Sequence, residues 1–127
     1  MAAMWFWIWC MSSVVSADVK LPSNSGERAF WTEHRAFFHA CREARCREVY
    51  VKMPIDVRTD AEEVVRGARI VGEALPGATL FLQPIHEPDR PYEGFDTPIL
   101  HALVARASAE VEDVRLMPQM HKLMGVR

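Results

Sequence analysis

Apolar residues recur along this chain in two rhythms. The runs VVSADVKL (14–21), VYVKMPI (49–55) and TLFLQPI (79–85) are short, β-branched or continuously apolar, and bounded by turn formers, so they predict buried strands. VRLM (114–117) is a weaker fourth candidate. Between them the spacing becomes helical. Residues 28–45 bring Phe30, Trp31, Phe37, Phe38 and Cys41 to one side of a helix, and this aromatic stripe reads as packing surface. Asp60 stands ahead of a second helix, with Glu63 three residues on as a capping box and Val64, Val65, Ala68, Val71 and Leu75 as the apolar face. Thr97 and Pro98 open a third, which runs through Ile99, Leu100, Leu103, Val104 and Ala107.

The order β-α-β-α-β-α-β, with crossovers long enough to hold helices, predicts an α/β fold of about four mostly parallel strands with right-handed connections. The segment HEPDRPYEGFD (86–96) reads as a loop at the C-terminal end of the third strand. Parallel α/β folds bind their ligands at that end.

Composition narrows the class without naming a function. The chain has 127 residues, half of them hydrophobic and a quarter charged, with a formal net charge of -2, which suits one globular domain. Lysines and arginines are spread along it, so nothing supports nucleic-acid binding. Cys10, Cys41 and Cys46 form an odd set without a disulfide framework, which points to a reducing, cytoplasmic setting. On one continuous helix, Cys41 and Cys46 would sit about 140° apart and could not easily share a metal. The run from Met4 to Met11 is apolar and tryptophan-rich, yet shorter than the roughly 20 residues needed to cross a bilayer. Export through an atypical N-terminal signal is the alternative localisation, but the stretch before the run carries no lysine or arginine.

Three places carry polar groups where a buried parallel strand should be apolar. Asp18 and Lys20 share one side of the first strand by period-two spacing. They read as an internal contact between the two, as a solvent-exposed strand end, or as the lining of a cavity. Gln83 precedes Pro84, which lacks a backbone donor, so the ladder is expected to stop there and leave the Gln83 amide at the rim. In the tail MPQMHKLMGVR (117–127), Gln119 and His121 fall on one side if the segment is extended. There is no phosphate loop, nucleophile elbow or zinc signature. Residue chemistry leads to a small-molecule-binding α/β domain.

Taken in order, SADVKLPSNSG, FLQP and MPQMHKLMGVR resemble the C-terminal half of the 7-carboxy-7-deazaguanine synthases, radical S-adenosylmethionine lyases of queuosine and 7-deazapurine biosynthesis. The resemblance runs from about Val14 to Arg127, and Pro-Gln-x-His-Lys-x-x-Gly is its most specific element. It implies the C-terminal half of a partial (β/α) radical S-adenosylmethionine barrel. Ser16, Asp18, Val19 and Lys20 would contact S-adenosylmethionine, and Gln83, Pro84, Ile85 and His86 would lie where its adenosine rests. Gln119, His121 and Arg127 would close over a pterin substrate. The implied cofactors are S-adenosylmethionine, a 4Fe-4S cluster and Mg2+. The implied reaction is radical-mediated ring contraction of 6-carboxy-5,6,7,8-tetrahydropterin to 7-carboxy-7-deazaguanine with loss of ammonia.

The departure from that pattern is the cluster itself. The family's three ligating cysteines, in CxxxCxxC-like spacing, have no counterpart here, and Cys10, Cys41 and Cys46 do not match their positions. No metal ligand or catalytic residue is therefore assigned to the chain. Residues 1–13 are expected to be an atypical apolar segment from a misassigned start, with the barrel portion spanning 14–127. The partners expected are the pterin and either a second copy in a homodimer or a missing N-terminal half, with neither membrane nor nucleic acid.

Overall fold

In a computed structural model, residues 14–56, 58–85 and 97–117 are described, and their backbone alternates strand and helix as the two rhythms predict. The elements are β1 (Val14–Asp18), α1 (Pro22–Ser25), α2 (Trp31–Glu43), β2 (Glu48–Ile55), α3 (Ala61–Ala74), β3 (Thr79–Pro84), α4 (Thr97–Ser108) and β4 (Asp113–Leu116). The strands form one sheet in the order β1-β2-β3-β4, every neighbouring pair parallel. The expected α/β architecture is the observed one. The segment 1–13, the loop 86–96 with His86, and the tail with Gln119, His121 and Arg127 lie outside the described residues.

Sequential strand order has a consequence for packing. Crossovers of one hand that always step to the next strand in the same direction return over the same face. The burial pattern agrees. Val15, Ala17 and Val19, then Val49, Val51, Met53 and Ile55, then Leu80 and Leu82 are buried, while the residues between them are exposed or half-buried. Against this apolar face pack Phe37, Phe38 and Cys41 of α2, Val64, Ala68 and Val71 of α3, and Leu103 and Ala107 of α4. Helix α3 lies between the other two. Ion pairs of Arg69 with Glu110 (3.1 Å) and of Arg106 with Glu62 fasten its exposed side to α4 and the turn after it.

Glycines set how closely α3 approaches its neighbours. A Cβ on Gly72 would collide with the backbone oxygen of Glu110, whereas one on Gly67 would meet chiefly the flexible end of Met53. Only the first contact is with an atom that cannot swing away.

Two local expectations are corrected. The first helix is shorter than 28–45: Phe30 is its N-cap, Ala44 its C-cap, and Arg45 turns left-handed with φ 55°. Cys46 thus lies past the helix, its N–H donating to the Cys41 carbonyl at 3.2 Å, and the 140° separation does not apply. The capping box at α3 is half formed. The Asp60 side chain accepts from the Glu62 N–H, but Glu63 turns to Ser23 in place of the Asp60 backbone. As expected, β3 ends at Pro84. That residue pairs with Ile55, and the Ile85 N–H donates to the Ile55 carbonyl at 2.8 Å. The Leu82 carbonyl accepts from Met117 of the β4 side, so by alternation the missing donor of Pro84 faces that side, beyond the end of β4.

His34 is a buried polar residue, 3% exposed and stacked on Phe38 with 6.3 Å between ring centres. Burial pushes its pKa below the ordinary 6.5, with the Glu33 carboxylate acting in the opposite direction.

Two measurements check this packing. In urea denaturation, Gly72→Ala should lower stability by about 1–3 kcal/mol. Gly67→Ala should change it by less than about 1 kcal/mol, because the gain in helix propensity offsets a yielding contact. As pH falls through 6.5 the unfolded chain protonates His34 while the folded chain resists, so stability should drop below that pH until the folded-state pKa is reached. His34→Leu should flatten that part of the stability profile, and an unchanged slope would show that His34 is not its source.

Candidate functional site at the open sheet face

With α2, α3 and α4 on one side, the alternating residues of the strands line an opposite face that no described element covers. The register arranges them in tiers. Above the pair Val14 and Glu48, one tier holds Ser16, Tyr50, Thr79 and Asp113, and the next Asp18, Lys52, Phe81 and Arg115. Toward the C-terminal edge follow Lys20, Pro54 paired with Gln83, and Ile85. Parallel sheets are ordinarily apolar and covered on both faces. A face this polar, beside one so uniformly apolar, is suited to lining a polar cavity.

The lower tiers are knit together. Thr79 Oγ1 donates to Asp113 Oδ2 at 3.0 Å, and Arg115 Nε donates to Asp113 Oδ1 at 3.0 Å. The Arg115 and Thr79 hydrogen bonds hold the Asp113 carboxyl below the usual carboxylate range. The rings of Tyr50 and Phe81 lie 6.1 Å apart and form a half-buried aromatic patch. The Tyr50 hydroxyl donates to Glu48 Oε2 at 2.9 Å, which raises its pKa. These contacts immobilise the lower part of the face.

The sequence-assigned residues divide by the same alternation. Ser16, Asp18 and Lys20 are exposed, and among the described residues Asp18 makes no ion pair with Lys20, so the structure has the open strand end and not the internal pair. Gln83 and Ile85 are half-buried on the same face. Lys20 and Gln83 flank β2 on strands about 10 Å apart. Val19 and Pro84 point the other way. The Val19 side chain is 1% exposed within the core and its N–H donates to the Lys52 carbonyl at 2.8 Å, so it holds the frame of the site. His86, Gln119, His121 and Arg127 lie outside the described residues.

Sequence reasoning missed the residues that fix the C-terminal rim. Ser23, in the short α1 that follows β1, donates through N–H and Oγ to Glu63 Oε1, both at 2.9 Å, and its Oγ accepts from the Asp60 N–H at 3.1 Å. One serine thereby joins α1 to the start of α3. Directly after β2, Asp56 is 3% exposed and ion-paired with Arg58 at 2.8 Å. Its place just past a strand end was the available signal, since βα loops carry the sites of parallel folds. Its burial was not legible in the sequence.

Cofactor fit differs by group. Exposed Asp18 and Lys20 with the Gln83 amide offer a carboxylate, an ammonium and a two-way hydrogen-bonding group, which suits a nucleoside carrying charged substituents. Among the described residues no group of three or more histidine, cysteine, aspartate or glutamate side chains could hold a metal ion, and Cys41 is fully buried in the core. The two described cysteines, Cys41 and Cys46, do not form a seat for a 4Fe-4S cluster. Among them, too, no helix is long and apolar enough to cross a membrane.

Comparison with known proteins agrees with the family resemblance. The chain is similar to 7-carboxy-7-deazaguanine synthase of Geobacter sulfurreducens, 29% identical over 117 residues. The match covers 88% of this chain and 43% of the relative, so the chain spans less than half of that protein's length. No family model and no solved structure matches it.

The rim network makes a prediction of its own. Ser23→Ala removes two hydrogen bonds, one to a charged acceptor, and should cost about 1–3 kcal/mol in denaturant titration. A loss below about 0.5 kcal/mol would show that the two segments are held by packing instead.

Proposed function

We propose that this chain is the ligand-binding portion of a 7-carboxy-7-deazaguanine synthase, active in ring contraction of 6-carboxy-5,6,7,8-tetrahydropterin. The observation that carries the reading is the open polar face of a parallel sheet in a chain similar to such a synthase over most of its own length. Ser16, Asp18, Lys20, Gln83 and Ile85 bind and orient S-adenosylmethionine, with Val19 and Pro84 as backbone support. His86, Gln119, His121 and Arg127 complete the adenosine and pterin sites. S-adenosylmethionine supplies the hydrogen-abstracting chemistry once bound. The work of the chain's own residues is to align the two ligands and keep water from them.

Cluster ligands and Mg2+ come from elsewhere in the active assembly, either a separate N-terminal portion or a larger oligomer, and the setting is cytoplasmic. A second reading, a ligand-binding module without catalysis, is favoured by the lack of a metal-ligand group among the described residues.

Titration calorimetry with S-adenosylmethionine tests the common premise of both. Binding is expected, and Lys20→Ala and Gln83→Ala should each weaken it by roughly three- to thirty-fold, the range of a hydrogen bond or ion pair. Absence of heat together with an unshifted melting temperature would remove both readings. Binding that neither substitution alters would reject the residue assignment. Turnover of the tetrahydropterin after addition of a cluster-bearing N-terminal portion would select the enzyme over the module.

A further inference from the structure

The middle of the open sheet face carries a row of residues that the proposed ligand contacts use at one end only. Across the four strands it runs Asp18, Lys52, Phe81 and Arg115, each the register partner of the next. Tyr50 precedes Lys52 by two positions and so lies on the same face. Its ring and that of Phe81 stand 6.1 Å apart, both half-buried, and the Tyr50 hydroxyl is tied to Glu48 Oε2 at 2.9 Å. Aromatic residues within a parallel sheet are ordinarily packed beneath helices. These face away from α2, α3 and α4, which pack on the other side.

Two cations flank Phe81, and their circumstances differ. Arg115 donates through Nε and Nη2 to the two oxygens of Asp113, at 3.0 and 3.2 Å, so its charge is already matched. Lys52 makes no ion pair among the described residues, although Asp18 is its direct partner on β1. Cross-strand neighbours are close enough to pair. Here Asp18 stays exposed while Lys52 is half-buried, its backbone held by the Val19 N–H on its carbonyl at 2.8 Å. An ammonium partly withdrawn from water and lacking a counterion gains from an anion that a ligand brings. Phe81 begins one strand spacing away, about 4.8 Å. Together the two features describe one kind of ligand: a flat ring to lie against Tyr50 or Phe81, with a negative group at its margin for Lys52.

We propose that Tyr50, Phe81 and Lys52 form a subsite for a planar heteroaromatic acid, its ring stacked on the aromatic pair and its carboxylate on the Lys52 ammonium. The inference rests on the reading under Proposed function and deepens it, since the carboxylated pterin is the ligand of that chemistry there. Lys52 is the specificity-determining contact. Tyr50 and Phe81 supply affinity for the ring that does not depend on the carboxylate.

The test is calorimetric titration of the full chain with 6-carboxypterin and with pterin, which share the ring and differ by the carboxylate, and with S-adenosylmethionine as the reference. Lys52→Gln should weaken 6-carboxypterin on the order of ten-fold and leave pterin unchanged. Phe81→Leu keeps a bulky apolar side chain on the strand and should weaken both pterins alike, by about three- to ten-fold. Retained S-adenosylmethionine affinity serves as the check that each variant is folded. Equal losses of the two pterins on Lys52→Gln, or no loss, overturn the assignment and leave Lys52 as a solvated cation. Unchanged pterin affinity in Phe81→Leu overturns the stacking. If the wild-type chain binds S-adenosylmethionine but not 6-carboxypterin, this inference fails alone. If it binds none of the three compounds, the underlying ligand-site reading fails and the subsite falls with it.

Discussion

Sequential parallel pairing is the constraint on which the rest of this structure depends. Four strands in the order β1-β2-β3-β4 oblige their crossovers to return over one face, so the helices form a single layer. One sheet face becomes core and the other is left to polar side chains. In a doubly wound sheet, where strand order reverses, helices would cover both faces and the ligand would enter at the reversal. Here there is no reversal among the described strands. The candidate residues Ser16, Asp18, Lys20 and Gln83 instead lie on the open face and toward its C-terminal edge.

That division explains the mixed character of the strands. Val15, Ala17 and Val19 alternate with Ser16, Asp18 and Lys20, and β2 and β3 repeat the pattern with Tyr50, Lys52, Phe81 and Gln83 on the open side. Prolines fall where they cost least. By strand alternation the missing donor of Pro84 lies on the β4 side beyond that strand's end, and that of Pro54 lies on the β1 side above the Lys52 carbonyl that takes the Val19 N–H. Both therefore sit at the C-terminal rim, where pairing ends.

The rim is built from contacts between loops as much as from the strands. Ser23 links α1 to α3, and Asp56 steers Arg58 in the loop after β2. The described cysteines take no part: Cys41 is in the core and Cys46 follows α2. Among the described side chains no group of three or more histidine, cysteine, aspartate or glutamate comes together to hold a metal ion.

Much of this was readable along the chain because it is local. A strand's two faces follow from alternate residues and a helix's apolar stripe from every third or fourth, so the four strands, the three longer helices, the Asp60 cap and the shared side of Asp18 and Lys20 needed no coordinates. The motifs around Lys20 and Gln83 carried the family resemblance in the same way. What required the fold were pairings across distance. Ser23 meets Glu63 forty positions away, and Gly72 meets the Glu110 backbone because α3 packs on the turn after α4. Helix ends also shifted, since the backbone turns at Arg45 whatever the apolar periodicity beyond it suggests. His34 and Asp56 look like ordinary surface residues in sequence. Burial is a property of the neighbours that register and crossover bring together, and no window of adjacent residues contains those neighbours.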